Sequence, residues 1–240
     1  MLANPYEYIS EIYSHLMKSI SYQNWAKYIS EIVLSINKNE PKILEIASGT
    51  GETSGYLKKE FPDLIVSDIS FSMLRKNNPD LRRVCCDMKA LPFKSEFDFI
   101  FSSFDSVNYL FHKKEILRFL NESASILAAD GILTFDVSLF KNSVKHSKIL
   151  NRKGTHKGIK YSQESKFDKN TGIHTNKFIL ILENGEIVEE IHKQKIYPFY
   201  DYFELIAKTR FYVSACYRAF TFKDANPDVE RAQFVLKKRK

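Results

Sequence analysis

Two glycines and three carboxylates carry the first chemical signal in this chain. Gly49 and Gly51 stand in "LEIASGTG", at the end of an apolar run, where the backbone can turn tightly and approach a ligand with no Cβ in the way. Asp68 follows 19 residues after Gly49, closing a second apolar run, and Asp87 closes a third in "CCDMKALPF". Carboxylates at successive strand ends suit a nucleoside: one accepts from ribose hydroxyls, the other stands near the exocyclic amine of adenine. Glu45, inside the first run, adds negative potential below the turn.

The same residues argue against other ligands. A phosphate cradle needs a Lys or Arg, and no GxxxxGK[ST] occurs. A dinucleotide fingerprint would put its third glycine where Ser54 stands; Gly55 comes one residue late and reads as a helix-packing glycine. An acidic, glycine-lined turn fits a cationic nucleoside, and S-adenosylmethionine, with its sulfonium and amino group, is one. No metal site is expected, because the three cysteines, Cys85, Cys86 and Cys216, form no CxxC pair.

The elements that must position these residues alternate. Residues 5–38 read as two helices, with Tyr8, Ile9, Ile12 and Leu16, then Trp25, Tyr28, Ile29, Ile32, Val33 and Ile36 at helical spacing. Short apolar strands are predicted at 42–47, 64–69, 82–87, 97–103 and 131–138, with helical segments between most of them, including 113–128. Alternation of this kind implies right-handed crossovers and a parallel sheet. Asn184-Gly185 predicts a two-residue hairpin and "DKNTGI" another turn, so 159–197 reads as a three-stranded antiparallel insertion. Pro198 opens a helix to about Thr209, followed by strands 211–217 and 231–238. The expected fold is an α/β, Rossmann-like, mostly parallel seven-stranded sheet with helices on both faces, two N-terminal helices and a small antiparallel β insertion. One domain spans 1–240: a helical cap (1–40), a cofactor-binding core (42–138), the insertion over the substrate cleft (159–197) and a terminal helix and hairpin (198–240).

The motifs, once in order, resemble a known family. "LEIASGTG", "VSDISFSML", "CCDMKALPF", "FDFIFSSFDSVNYL" and "ILAADGILTFDVS" are similar to the successive motifs of class I S-adenosylmethionine-dependent methyltransferases. "IYSHLMKSISYQNWAKYI" and "HKQKIYPFYDYFELI" resemble the small-molecule branch that includes N,N-dimethyltransferases of nucleotide-linked amino sugars. By this resemblance Glu45, Ala47, Gly49 and Gly51 surround the methionine part of the cofactor, with Tyr13 closing over it. Asp68 holds the ribose, Ile69 and Met73 flank adenine, and Asp87 with Met88 reads its amino edge. Ser103 and Phe104 line the cleft near the methyl group, and S-adenosylhomocysteine is the product. For Met73 and Tyr13, ordinary packing competes with these roles.

Methyl transfer is an in-line displacement, and a base is needed only where the nucleophile arrives protonated. Asp105 and Tyr109 are the catalytic candidates, with Asn108 and His112 nearby; Asp105 could equally cap the next helix. Two departures stand out: the amino-sugar enzymes carry His where this chain has Tyr109, and the family usually has Cys at Ser48. Tyr161, Phe167, Phe178 and Tyr197 could roof the cleft from the insertion, and a homodimer contact is the competing use of that surface.

Charge frames the alternatives. The net +7 resides in 141–170, where nine Lys/Arg face two acids. A solvated face is the plain reading, and an anionic or nucleotide-linked small-molecule acceptor the second. An RNA methyltransferase using this segment is the rival enzyme, but no (N/D)PP(Y/F) follows strand four and no RNA-binding module is visible, so nucleic acid is disfavoured. A non-catalytic nucleoside-binding protein of the same fold is the other rival. No apolar run approaches the roughly 18 residues of a membrane span, no signal peptide is recognisable, and the cysteines suggest a reduced setting, so a cytoplasmic protein is expected.

Overall fold

A computed structural model describes residues 1–239; Lys240, the end of the expected 198–240 segment, lies outside them. The elements run β1 (Leu2–Ala3), α1 (Tyr13–Leu16), α2 (Tyr22–Leu34), β2 (Ile43–Ile46), α3 (Glu52–Leu57), β3 (Ile65–Asp68), α4 (Phe71–Arg75), β4 (Arg82–Cys85) and β5 (Phe97–Ser102). They continue as α5 (Lys113–Ile126), β6 (Leu127–Ser138), α6 (Phe140–Ile149), β7 (Arg152–His156), β8 (Ile159–Asp168), β9 (Ile173–Ile181) and β10 (Ile187–Lys195). The chain closes with α7 (Phe199–Ala207), β11 (Phe211–Arg218) and β12 (Arg231–Lys238).

Seven strands form the main sheet in the order β4-β3-β2-β5-β6-β12-β11. All pairs are parallel except those that β12 makes with β6 and β11. β2 and β5 are buried along their whole length, as expected of strands covered by helices on both faces. α5 and α7 pack on one face through Phe119, Leu120, Tyr202 and Leu205, and α2 and α3 cover the other through Ile29, Ile32 and Leu57. Strand order reverses between β2 and β5, so a crevice opens at their carboxyl ends. This is the Rossmann-like architecture expected.

The N-terminus and the insertion differ from expectation. Residues 5–12 hold only a single 3-10 turn, Ile9–Glu11, and Leu2–Ala3 forms a strand instead. Pro5 and the left-handed Tyr6 (φ 65°) interrupt the apolar spacing that read as a helix. The three antiparallel strands expected at 159–197 are β8, β9 and β10, and β7 and β1, from outside that range, extend them to a five-stranded sheet, β1-β10-β9-β8-β7. β1 adds to it in parallel, a long-range pairing that local pattern cannot announce. The basic stretch after Lys141 splits into α6 and the edge strand β7, and Lys141, Lys145 and Lys166 pair with Asp228, Glu230 and Glu164. The Asn184-Gly185 turn is a three-residue loop: Gly185 N–H donates to the Leu182 carbonyl, and Gly185, not Asn184, is left-handed (φ 83°).

Two buried polar residues bind the pieces together. Glu190 of β10 is fully buried, and its carboxylate accepts the backbone N–H groups of Tyr6, Tyr8 and Ile9. Asn108, also fully buried, donates to the carbonyls of Ser138 (3.2 Å) and Lys195 (3.0 Å) and to Tyr202 Oη (3.3 Å), and accepts from Ser138 N–H (2.9 Å). Asn108 thus ties the end of β6 to the end of β10 and does not reach a ligand. With two Nδ2 hydrogens and one accepting Oδ1, three of these bonds can be made at once, so Asn108→Ala is expected to destabilise the fold by about 3 kcal/mol, at roughly 1 kcal/mol per lost bond. Urea unfolding checks this, and a loss below about 1 kcal/mol would refute the bracing role.

Candidate functional site

The crevice is a cavity of 680 Å³, within the range of small-molecule and cofactor sites. Its floor is the turn after β2. Ala47 is left-handed (φ 57°) without being glycine, and Gly49 follows in the same region (φ 57°). A Cβ on Gly49 would stand 3.2 Å from Met73 Cε, the movable end of a side chain, so the left-handed backbone more than the space favours glycine there. Gly51 serves the fold differently: it is the left-handed N-cap of α3, and a Cβ would collide with the Asn77 side chain.

Asp68 locks this turn to the second strand. Its Oδ2 accepts Gly49 N–H and its Oδ1 accepts Ser70 N–H, both at 2.7 Å. Burial raises the carboxyl above the usual carboxylate range, and backbone N–H groups of Ser70, Gly49 and Ile69 oppose the rise. Each oxygen keeps a lone pair for a ligand hydroxyl. Glu45 lies beneath, buried and bonded to Ser54 Oγ; burial foremost, and Asp68 in addition, push its carboxyl up to about 8.

The end of β5 supplies the opposite wall. Phe104 (φ 60°) and Asp105 (φ 51°) are consecutive left-handed residues, a conformation that costs of order 1–3 kcal/mol each and survives only when over-determined by its surroundings. Here the Phe104 ring packs on Trp25 (4.5 Å between centroids) and Tyr22 (5.4 Å). Asp105 Oδ1 accepts from Arg231 Nη2 (2.9 Å), whose guanidinium also binds Asp136 and lies 5.7 Å from the Trp25 ring. Asp105 Oδ2 accepts from Gln194 Nε2 at 2.9 Å. The twist therefore sends Phe104 into the cavity and Asp105 into a buried ion pair.

Of the residues expected to hold the nucleoside, Tyr13, Ala47, Gly49, Asp68, Ile69, Met73, Met88 and Phe104 line the cavity. Glu45, Gly51, Asp87 and Ser103 do not. Asp87 bonds Lys89 N–H (2.8 Å) beside the lining Met88, and Ser103 is buried with its carbonyl on Ser106 Oγ (2.8 Å). Of the two catalytic candidates, Tyr109 lines the cavity and Asp105 does not, and His112 is exposed at the start of α5. Asn4, Pro5, Tyr6 and Glu7 form the roof, which sequence reasoning assigned to the insertion. Tyr161 and Phe178 instead pack under that roof on Ile9, Ile12 and Leu16, and Phe167 and Tyr197 line a separate depression. Tyr6 and Tyr22 carried no signal in the sequence, because nothing in their spacing sets them apart from core aromatics.

The lining suits S-adenosylmethionine chemically. Its charged members, Glu7, Glu52 and Asp68, are all acidic, with no Lys, Arg or His among them, which favours a ligand carrying sulfonium and ammonium groups. Three lining residues, Tyr22, Ser48 and Thr53, have buried hydroxyls without a partner in the protein. Orphaned hydroxyls at a cavity wall are what a polar ligand would satisfy.

The raised carboxyl of Glu45 makes a stability prediction. The native state holds a proton up to about 8 that the unfolded chain releases near 4.5, so native Glu45 binds more protons in between. Stability should fall as pH rises through that window. Thermal melting of Glu45→Gln should show a flatter pH dependence than wild type across it; parallel curves would refute the assignment.

Comparison with known proteins agrees with this geometry. Residues 43–131 match the methyltransferase domain model. Over 98% of both chains, the protein is 26% identical to a putative methyltransferase, YqeM, of Bacillus subtilis (strain 168). It is 28% identical, over 51% of this chain and 53% of the other, to the dTDP-3-amino-3,4,6-trideoxy-alpha-D-glucopyranose N,N-dimethyltransferase of Streptomyces venezuelae. The fold superposes on an S-adenosylmethionine-dependent methyltransferase from Clostridium acetobutylicum ATCC 824 with a TM-score of 0.79 at 20% identity, over 98% and 99% of the two chains. Residues 43–131 thus carry a methyltransferase domain within a class I fold, and the protein is an S-adenosylmethionine-dependent methyltransferase.

Proposed function

We propose that the enzyme methylates a small polar molecule at an amine nitrogen, by in-line transfer. The observation that carries this reading is the sign of the cavity: its charged lining is wholly acidic and its wall beside Phe104 is made of tyrosines, Tyr6, Tyr13, Tyr22 and Tyr109. Such a wall favours a basic nitrogen and offers hydroxyls to orient it. The amine preference is supported by the relative whose name specifies an amino-sugar acceptor.

When bound, S-adenosylmethionine supplies an electrophilic methyl carbon on a sulfonium leaving group. The chain's own residues hold and align. Asp68 keeps the ribose hydroxyls, Ile69 and Met73 enclose adenine, and Asp87 and Met88 stand at the amino edge. Glu45, Ala47, Gly49 and Gly51 shape the turn under the methionine end, with Tyr13 above it. Ser103 and Phe104 set the depth at which the acceptor stops. Alignment of this kind can supply about 7 to 11 kcal/mol of barrier lowering in favourable cases.

Calorimetry with S-adenosylmethionine and with NADH tests the reading, and only the former should bind. Asp68→Ala should lose that binding, since it removes both the ribose acceptor and the tie to Gly49; unchanged affinity would show that the ribose lies elsewhere. A screen of amines, amino sugars and hydroxylated metabolites, read as S-adenosylhomocysteine release, should yield an amine. Turnover confined to oxygen or carbon acceptors would overturn the nitrogen assignment.

A further inference from the structure

Behind the tyrosine wall lies a polar file that no part of the cofactor site uses. Tyr6 and Tyr109 both line the cavity, with their hydroxyls 2.6 Å apart. His192 is buried just behind them, with Nδ1 3.5 Å from Tyr109 Oη. Its Nε2 lies 3.2 Å from Glu190 Oε2. His192 and Glu190 are two residues apart on the inward face of β10, and neither lines the cavity. Apart from these contacts the imidazole is walled by the edges of Tyr6 and Phe178.

The bonds give the ring a direction. Glu190 already accepts three backbone N–H groups, and its Oε2 against Nε2 places an imidazole proton there. Nδ1 is then a free acceptor aimed at the Tyr109 hydroxyl. The 3.5 Å separation is long, as such bonds are before substrate binds.

We propose that Glu190, His192 and Tyr109 form a proton relay, with Tyr6 hydrogen-bonded to its cavity end, that removes a proton from the methyl acceptor. The proposal rests on the amine reading above and narrows it to an acceptor that arrives protonated. The nitrogen proton passes to Tyr109 Oη as the Tyr109 proton passes to His192 Nδ1, which frees the nitrogen lone pair. That pair then forms the bond to the methyl carbon, and the electrons of the broken carbon–sulfur bond stay on sulfur. The products are methylated acceptor, S-adenosylhomocysteine and an imidazolium held by Glu190. Burial raises both phenols well above their ordinary value, so they hand protons on and do not rest as phenolates. The groups that face His192 are Tyr6, Tyr109 and Glu190, and Asp105 and Asp68 act on Tyr109 at longer range. Tyr109 is the catalytic member, and His192 and Glu190 act through it.

Nitrogen NMR of the full chain with ¹⁵N-labelled histidine and bound S-adenosylhomocysteine tests the wiring. His192 should carry a proton on Nε2, and Tyr109→Phe should shift its Nδ1 resonance toward an unbonded nitrogen. A proton on Nδ1, or a resonance that Tyr109→Phe leaves in place, overturns the relay. With the amine that supports turnover, His192→Gln should lower kcat about 10²- to 10⁴-fold and change the shape of its pH profile. Its affinity for S-adenosylmethionine should be unchanged. Full activity of His192→Gln with an intact pH profile sinks the relay alone, whereas a wild type that fails to bind S-adenosylmethionine sinks the functional reading itself.

Discussion

The roof of the site hangs on one buried carboxylate. Residues 4–9 pair with no neighbour within their own stretch beyond a single turn, and their backbone N–H groups would be unsatisfied where they cross the protein. Glu190 takes three of them at once, at Tyr6, Tyr8 and Ile9, so a strand in the insertion fixes where the roof begins. β1 extends the same attachment by pairing with β10, and Ile9, Ile12 and Leu16 cover the apolar half of the insertion's inner face. The insertion is therefore mainly a foundation for the N-terminal segment. It meets the cavity wall through that segment and through His192, which faces Tyr109.

A second constraint acts at the strand ends. Ala47, Phe104 and Asp105 all adopt left-handed backbone without glycine's freedom, and all sit where β2 and β5 open the crevice. The Asp105 and Asp136 carboxylates clamp Arg231, Arg231 covers Trp25, and Trp25 holds Phe104, so the strain is retained by an ion-pair cluster continuous with the cavity wall. The depth of the cavity near Phe104 is thus set by residues that never enter it. Asp105 is a member of this clamp, which explains why an acid directly after a strand does not line the cavity.

Charge is partitioned in the same spirit. The cavity is acidic in its ionisable lining, whereas the excess of positive charge lies in 141–170, on α6, β7 and β8. Three of those lysines are paired with acids at the surface, where such pairs contribute little to stability. No residue of this basic stretch lines the acidic crevice.

The sequence by itself determined the α/β alternation, the central sheet and the pairing of a glycine turn with Asp68, because these depend on local periodicity and on residues separated by one crossover. It placed β2, β3 and β5 within a residue or two, and Gly49 and Asp68 followed from their positions at strand ends, whereas Tyr13, Ala47, Ile69, Met73, Met88 and Phe104 followed from the family resemblance. Tertiary structure decided the rest. That Leu2–Ala3 joins β10, that Glu190 caps the N-terminal backbone, that Asp105 turns away to Arg231 and that His192 stands behind Tyr109 are contacts spanning some 80 to 190 residues. No periodicity encodes which distant partner satisfies a buried polar group; that is settled only when the chain closes and each such group must find a bond or bear its desolvation cost.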